Sequence, residues 1–361
     1  MQRREPEAIR LESQSRRHHR RTKPRVPNVG INPLETTFTL SQTVEIGGKR
    51  SARVRAAQAD RTAAQRRLSA AELELAKEVK FAFTEAVAAE AAIELAEERI
   101  RLAQEVERSV SAQVEAGREP LVQRNRAEVA LGQAELQFDR TRRRAVLPRD
   151  VLGSLTGIDP AEIKLESEWF ERLDPVELPN STTLDRAIDV LQSEAEVLRS
   201  QAEFEMQRRE ALPDLTVSAG IRRFHDNDDS AFVVGLSIPI PVFDRKQGAI
   251  RRARAELVAA EADLAASRLR LANAVAAART RLAAARDNVT ALRADILPKA
   301  EEAFFFAEEG YRQGKFSYLD VLDAQRTLFE GRRELLDALQ SFHESRAELE
   351  RLAGAGFERN G

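Results

Sequence analysis

The sequence predicts a mainly α protein of long coiled-coil helices with a few strands, built as an internal duplication. Three observations predict it. Aromatic residues make up 5% of the 361 residues and charged residues 32%, with Ala, Glu, Arg and Leu dominating. That is the profile of long helices rather than compact cores. The stretch from Ser51 to Ala116 holds neither proline nor glycine, and its apolar residues recur every seven positions. A shift of 197 lays Gly117 on Gly314, Ala127 on Ala324, Leu131 on Leu328, Leu152 on Leu349, Leu155 on Leu352 and Gly157 on Gly354 without a gap.

Composition also excludes several functions. Net charge is −2, from 57 basic and 59 acidic residues, so no nucleic-acid partner is expected. Cysteine is absent, which removes disulfides and thiolate metal sites. No run of 18 apolar residues offers a transmembrane helix. A membrane β-barrel stays open, because its strands carry only a weak alternating signal. No nucleophile–base arrangement, P-loop or glycine-rich nucleotide loop stands out, so neither catalysis nor a cofactor is expected.

Taken in order, residues 1–35 form a basic N-terminus, read as disordered or non-native. Its first thirty residues carry nine Arg or Lys against three acids, with no apolar h-region, so it is not a signal peptide. Residues 36–157 form the first repeat. Phe38, Leu40, Val44 and Ile46 alternate with Thr37, Thr39, Ser41, Thr43 and Glu45, a strand with one apolar and one polar face. Gly47 and Gly48 release the chain into the long helix, about 100 Å at ~1.5 Å per residue. One heptad row runs through Leu68, Leu75, Ala82, Ala89, Ala96, Ala103 and Val110, and a second through Val79, Ala86, Ile93 and Ile100. A turn at Gly117 and Pro120 leads to a second helix reaching about Leu155. Residues 158–182 are a crossover loop for which Trp169 is a packing anchor.

Residues 183–354 form the second, complete repeat, and 355–361 a tail. A helix from Leu184 to Arg209 is stopped by Pro213. A hairpin follows, with Leu215, Val217, Ala219 and Ile221 on one strand and Phe232 through Val242 on the other. Pro239 and Pro241 fall on one face of that second strand. Its loop holds His225, Asp226, Asp228 and Asp229, read as solvated rather than metal-binding. The helix from Lys246 to Arg312, interrupted only by Pro298, matches the first long helix at an offset of 196: Leu75 with Leu271, Val79 with Val275, Ala86 with Leu282, Ile93 with Val289 and Ile100 with Ile296. His343 reads as a surface or interface residue of the last helix. At the same offset the first hairpin strand lands on His19, Arg21, Lys23 and Arg25, which cannot face lipid. The first repeat is therefore read as lacking its opening helix and strand, an N-terminal truncation or a mis-set start, with three strands in the chain.

Tandem strand pairs feeding helices of this length resemble the TolC family of outer-membrane efflux channels. The motifs SQTVEIGGKR, VSAGIRRF, GLSIPIPVFDRKQG and ILPKAEEAFFFAEEGYRQGKFSYLDVLDAQRTL carry the likeness over residues 36–354. The IGGKR and IPIPVFDRKQG variants are similar to the CzcC-like subgroup, which serves heavy-metal export. The resemblance implies a homotrimer in the outer membrane, with four strands per protomer in a shared twelve-stranded barrel and the helices in a periplasmic α-barrel. It implies a passive exit duct working with a periplasmic adaptor and an inner-membrane RND pump. Within the family, the positions of Asp320 and Asp323 form the constriction at the periplasmic mouth, and that of Tyr311 helps hold it closed. Phe316 and Gln123 depart from the arginine and aspartate of the family's salt-bridged lock, so closure here rests on packing and neutral hydrogen bonds. Gly117 and Gly314 are structural turns at the helical tip. The alternative is a soluble coiled-coil scaffold, or a truncated channel without function.

Overall fold

The computed structural model describes residues 11–13, 35–175, 184–224 and 229–354. Chain contacts divide it into two compact units, Met1–Ala64 with Glu194–Asp263, and Gln65–Ser193 with Leu264–Gly361. The elements are β1 (Leu11–Ser13), β2 (Glu35–Val44), α1 (Lys49–Glu115), α2 (Leu121–Arg144), α3 (Val146–Thr156), α4 (Ile188–Glu210), β3 (Leu215–Phe224), β4 (Ser230–Ser237), α5 (Gln247–Ala291), a π-helical turn (Leu292–Ile296), α6 (Leu297–Arg312) and α7 (Tyr318–Ala353).

The first unit holds an antiparallel sheet in the order β1-β2-β3-β4. Its β1 corrects the expectation of three strands. Leu11 pairs with Leu40 as Val217 pairs with Leu236, so the fourth strand lies ten residues before the place that a rigid offset of 196 assigned to it. The basic stretch from Arg16 to Arg25 lies outside the described residues. So do His225, Asp226 and Asp228 of the hairpin loop.

Register fixes the two faces of the sheet. Phe38, Ile221 and Phe232 form one cross-strand row, and Leu40, Ala219 and Val234 the next. The opposite face carries Thr39 with Gly220, and Ser41 with Ser218 and Gly235. There the Thr43 and Thr216 hydroxyls lie 3.3 Å apart, and the Ser218 hydroxyl donates to the Gly235 carbonyl at 3.3 Å. β4 ends at Ser237 rather than running to Val242, because Pro239 and Pro241 offer no amide to a ladder.

Charge anchors the strand-to-helix junctions of this unit. Buried Lys49 pairs with Asp214 at 2.7 Å, and Glu210 takes both Arg53 and Lys246 at 3.2 Å. Burial pushes the Glu210 carboxyl up, but hydrogen bonds from Lys246 and Arg53 outweigh it and leave the group below its ordinary value. Gly47 takes a positive φ of 75°, and a Cβ there would overlap Leu212, so the turn into α1 requires glycine on both counts.

The second unit is built from helices joined by turns and the crossover loop. In α1 the heptad rows are buried at Ala82, Ala86, Ala96, Ala103 and Val110 and half-buried at Ala89, Ile93 and Ile100; from Leu271 to Leu292 they are buried, whereas Leu68, Leu75 and Ile296 stay exposed. Three apolar clusters stack along it. One joins Ala187 and Val190 to Leu271, Val275, Phe342 and Leu349, and one joins Val87, Phe170, Val289 and Leu339. The third lies at the paired turns.

Two helix breaks follow from prolines. The expected helix to Leu155 divides at Ala145 into α2 and α3, because Pro148 would strike the carbonyl of Arg144. Ahead of Pro298 the second long helix widens into the π turn, with the Leu297 amide donating to the Leu292 carbonyl five residues back.

The crossover loop is pinned in the middle cluster. Trp169 stacks on Phe83 at 5.8 Å and meets His343 edge-on at 4.6 Å, the packing anchor that the sequence suggests. His343 is buried rather than at the surface, with its Nε2 2.8 Å from the Phe170 carbonyl. Desolvation lowers its pKa against the opposing pull of that hydrogen bond. The ring is therefore neutral, with Nε2 as the donor.

Candidate functional site

The two turns of the second unit are built alike, bond for bond. α1 ends with Gly117 donating to Val114 at 3.0 Å and Arg118 to Gln113 at 2.9 Å. α6 ends with Gly314 donating to Tyr311 at 2.9 Å and Lys315 to Gly310 at 2.8 Å. Both patterns are Schellman caps, with Gly117 at φ 70° and Gly314 at φ 74°. These four bonds form two pairs of twins 197 residues apart, so the duplication reaches the hydrogen bonds themselves; the second turn adds the Phe316 amide donating to the Gly310 carbonyl at 3.3 Å.

Between and beneath the turns lies the third apolar cluster, which draws Val106 and Val110 from α1, Ala127 from α2, Phe304 and Tyr311 from α6, and Tyr318 and Val321 from α7. Tyr311 and Tyr318 have their rings 6.1 Å apart and are 2% and 1% exposed. Burial, then the Glu119 charge, pushes the Tyr311 phenol up to about 12, and burial with Tyr311 and Glu107 does the same for Tyr318. Both phenols stay neutral across physiological pH. The Tyr311 hydroxyl finds no hydrogen-bond partner among the described residues.

The remaining residues singled out by sequence are placed differently from one another. Asp320 is exposed and turned toward the start of α7, where its Oδ2 accepts from the Ser317 amide at 2.8 Å and the Ser317 hydroxyl at 2.7 Å. These bonds, hydroxyl first and amide second, hold its carboxyl below the ordinary aspartate value. Asp323 lies one turn further on the exposed side of the same helix. Gln123 is half-buried on α2 and lies 3.5 Å from Arg126 Nη1. Phe316 is half exposed, and its ring covers Gly310 so closely that a Cβ there would overlap it. Beside the turns, a groove of about 430 Å³ runs between α1, α2 and α7, lined by Arg99, Val122, Val129, Leu322 and Arg326 among others.

Sequence reasoning missed Ser317, Tyr318 and Gly310. Ser317 had a signal, since Ser-x-x-Asp at a helix start is a capping pattern. Among the described residues no group of His, Asp or Glu is placed to hold a metal ion.

The sheet supplies the second functional surface. Phe38, Leu40, Ile221, Phe232, Val234 and Leu236 form an apolar face that none of the described residues covers, with Phe232 79% and Val234 75% exposed. No helix among the described residues is long and apolar enough to cross a membrane.

The comparisons with known proteins agree on one family. The family model described as outer membrane efflux protein matches residues 13–157 and 180–355. The cobalt-zinc-cadmium resistance protein CzcC of Cupriavidus metallidurans is 32% identical over 321 residues, spanning 88% of this chain and 77% of its own. The nickel-cobalt-cadmium resistance protein NccC of Alcaligenes xylosoxydans xylosoxydans is 30% identical over 64% of this chain and 53% of its own. Among solved structures, CusC, reported for conformational changes accompanying folding and transmembrane channel formation, superposes with a TM-score of 0.80 at 19% identity, covering 97% of this chain and 84% of that one. The Vibrio cholerae outer membrane protein VceC gives 0.77 at 21% identity, covering 97% and 87%. With both repeats matched by that model, the chain belongs to the outer membrane efflux protein family.

Proposed function

We propose that this chain is the outer-membrane exit duct of a tripartite efflux system whose cargo is heavy-metal cations. The observation that carries the duct reading is the uncovered apolar face of the sheet. Its six large side chains would each gain about 1.5–3 kcal/mol on leaving water. Their sum is comparable with the ~5–15 kcal/mol net stability of a whole domain. A soluble scaffold would forgo that energy; a barrel in lipid realises it. The cargo class is supported by the resistance functions that the names of CzcC and NccC state.

In this reading three copies assemble, each giving β1 to β4 to one barrel, and a neighbour covers Leu68 and Leu75. An inner-membrane RND pump supplies the energy and a periplasmic adaptor docks at the helical turns, where the groove beside α7 is open. Asp320 and Asp323, tripled, place a ring of carboxylates at the mouth, which favours cations. The Ser317 bonds keep Asp320 ionised. Closure comes from the Tyr311–Tyr318 pair and the Phe316 ring over Gly310, with Gln123 as a neutral polar neighbour.

The test is growth on cobalt, zinc and cadmium of a host that keeps a matching pump and adaptor but lacks its own outer channel. Expression of this protein should restore tolerance and yield a detergent-dependent trimer in the outer membrane, and Asp320→Asn with Asp323→Asn should weaken the rescue. A soluble monomer with no rescue would instead favour the scaffold reading.

A further inference from the structure

The chain leaves β4 through an apolar segment, Ile238 to Phe243, that belongs to no regular element. We propose that this segment is embedded in the inner-leaflet interface of the outer membrane, with Phe243 as the side chain that fixes its depth. The proposal rests on the outer-membrane reading of the sheet.

Register gives the depth. β2 and β4 both pair antiparallel with β3 and so run in the same direction. Phe38 and Phe232 share a row through Ile221, and Gln42 and Leu236 share one through Val217. Continued in steps of two, Ile238 falls level with Val44 and Ile240 with Ile46. A barrel strand rising ~3.3 Å per residue at a tilt of about 40° advances roughly 2.5 Å per residue along the membrane normal. The regular apolar part of β4, Phe232 to Leu236, therefore spans only about 10 Å of an apolar band about 25 Å tall. Roughly ten residues from Phe232 are needed to cross it, which ends the band at Val242 and sets Phe243 at its edge. The chain makes no bend before Val242, so the extended path carries on that far.

Side-chain character changes at the same place. Ile240 is 82% exposed and Phe243 91%, the highest exposure of any large apolar side chain described. The next three residues, Asp244, Arg245 and Lys246, are charged and exposed. An aromatic ring at the end of an apolar run, followed by Asp244 and then by two cations, matches the boundary between acyl chains and phosphates.

The backbone is also adapted to a place with little water. In an extended chain the amides of alternate residues point to one edge. Proline at 239 and 241 removes both donors from that edge, halving the groups that lipid would leave unsatisfied. The Pro241 carbonyl accepts from Arg245 Nε at 3.3 Å, and the Phe243 carbonyl from Gln247 Nε2 at 3.2 Å. At the offset of 196 the first repeat has Gln42 to Gly47 here, with no aromatic residue, so only the second junction carries the anchor.

The absence of cysteine makes the test direct. Single variants Phe243→Cys and Ile240→Cys, spin-labelled and reconstituted in phospholipid vesicles, are compared with Phe232→Cys on the sheet face and Arg252→Cys on exposed α5. Power saturation measures collision with oxygen, which partitions into lipid, and with a water-soluble nickel chelate. Oxygen collisions should exceed nickel collisions at 240 and 243 as they do at 232, with the preference weaker at 243, and the order should reverse at 252. Nickel-dominated collisions at 243 would place the segment in the periplasm, and exclusion of both reagents would place it against a second copy; either overturns the proposal while leaving the duct reading intact. If position 232 itself shows no oxygen preference, the membrane reading of the sheet fails and the proposal falls with it.

Discussion

Tyr311 presents a balance that a single atom can tip. Its ring shares an apolar cluster with Tyr318, Val110 and Ala127, while its hydroxyl is buried without a partner among the described residues. An unsatisfied buried hydroxyl costs about 1–3 kcal/mol. Tyr311→Phe should therefore leave the melting temperature of the detergent-solubilised protein unchanged or raise it, whereas Tyr311→Ala should cost about 3–5 kcal/mol through the cavity it opens. A destabilised Tyr311→Phe trimer with unchanged secondary structure would mean that a second copy supplies the hydroxyl's partner. At this scale the sequence was readable where chemistry is local. The two cap glycines and the Ser317–Asp320 pair follow from spacing along the chain. The Phe316 ring over Gly310 does not, because the approach of a side chain to a backbone depends on the path of the whole turn.

The crossover loop shows how one element is held by another. Its Phe170 carbonyl receives the neutral His343 imidazole of α7, and Trp169 bridges to Phe83 of α1. Because burial lowers the His343 pKa below its ordinary 6.5, this contribution is complete above that value and is lost as pH falls through the lower folded-state pKa. Arg346 discourages protonation further, while Asp174 favours it. The melting temperature of the wild type should drop on acidification below about pH 6.5, and His343→Gln should flatten that part of the profile; equal slopes in both would remove His343 as the cause. The helices were legible as elements because heptads and prolines announce them. Burial of His343 was not, since a polar residue in mid-helix reads as solvated until the loop that covers it is placed. The break at Ala145 was legible in principle, as Pro148 lies four residues after Arg144.

For the whole molecule, the sheet must face two ways. Leu236→Lys, about 10 Å into the apolar band, should cost about 2–4 kcal/mol and should deplete the protein from the outer membrane. Lysine in place of Thr39, on the opposite face, should leave assembly intact and reduce cation passage; similar losses of assembly in both variants would mean that the two faces are not distinguished by lipid. Duplication was the most legible feature of the chain and also the most misleading one. It carried the helices and caps, but a rigid offset hid β1, whose connection to β2 is ten residues longer than its twin. The π turn ahead of Pro298 explains the other irregularity. Upstream of it the repeats agree at 196, as in Ala96 and Leu292; downstream they agree at 197, as in Ala103 with Ala300 and Val110 with Ala307, all of them buried. Buried side chains fall at 292, 297, 300, 304, 307 and 311, one step of five and then threes and fours. The turn absorbs the one residue by which the second copy exceeds the first. Removing Ala294 together with Pro298→Ala should return an unbroken α-helix and a near-native melting temperature, whereas removing Ala277 should rotate every later residue by about 100° and abolish folding. Equal damage from both deletions would deny the turn that role.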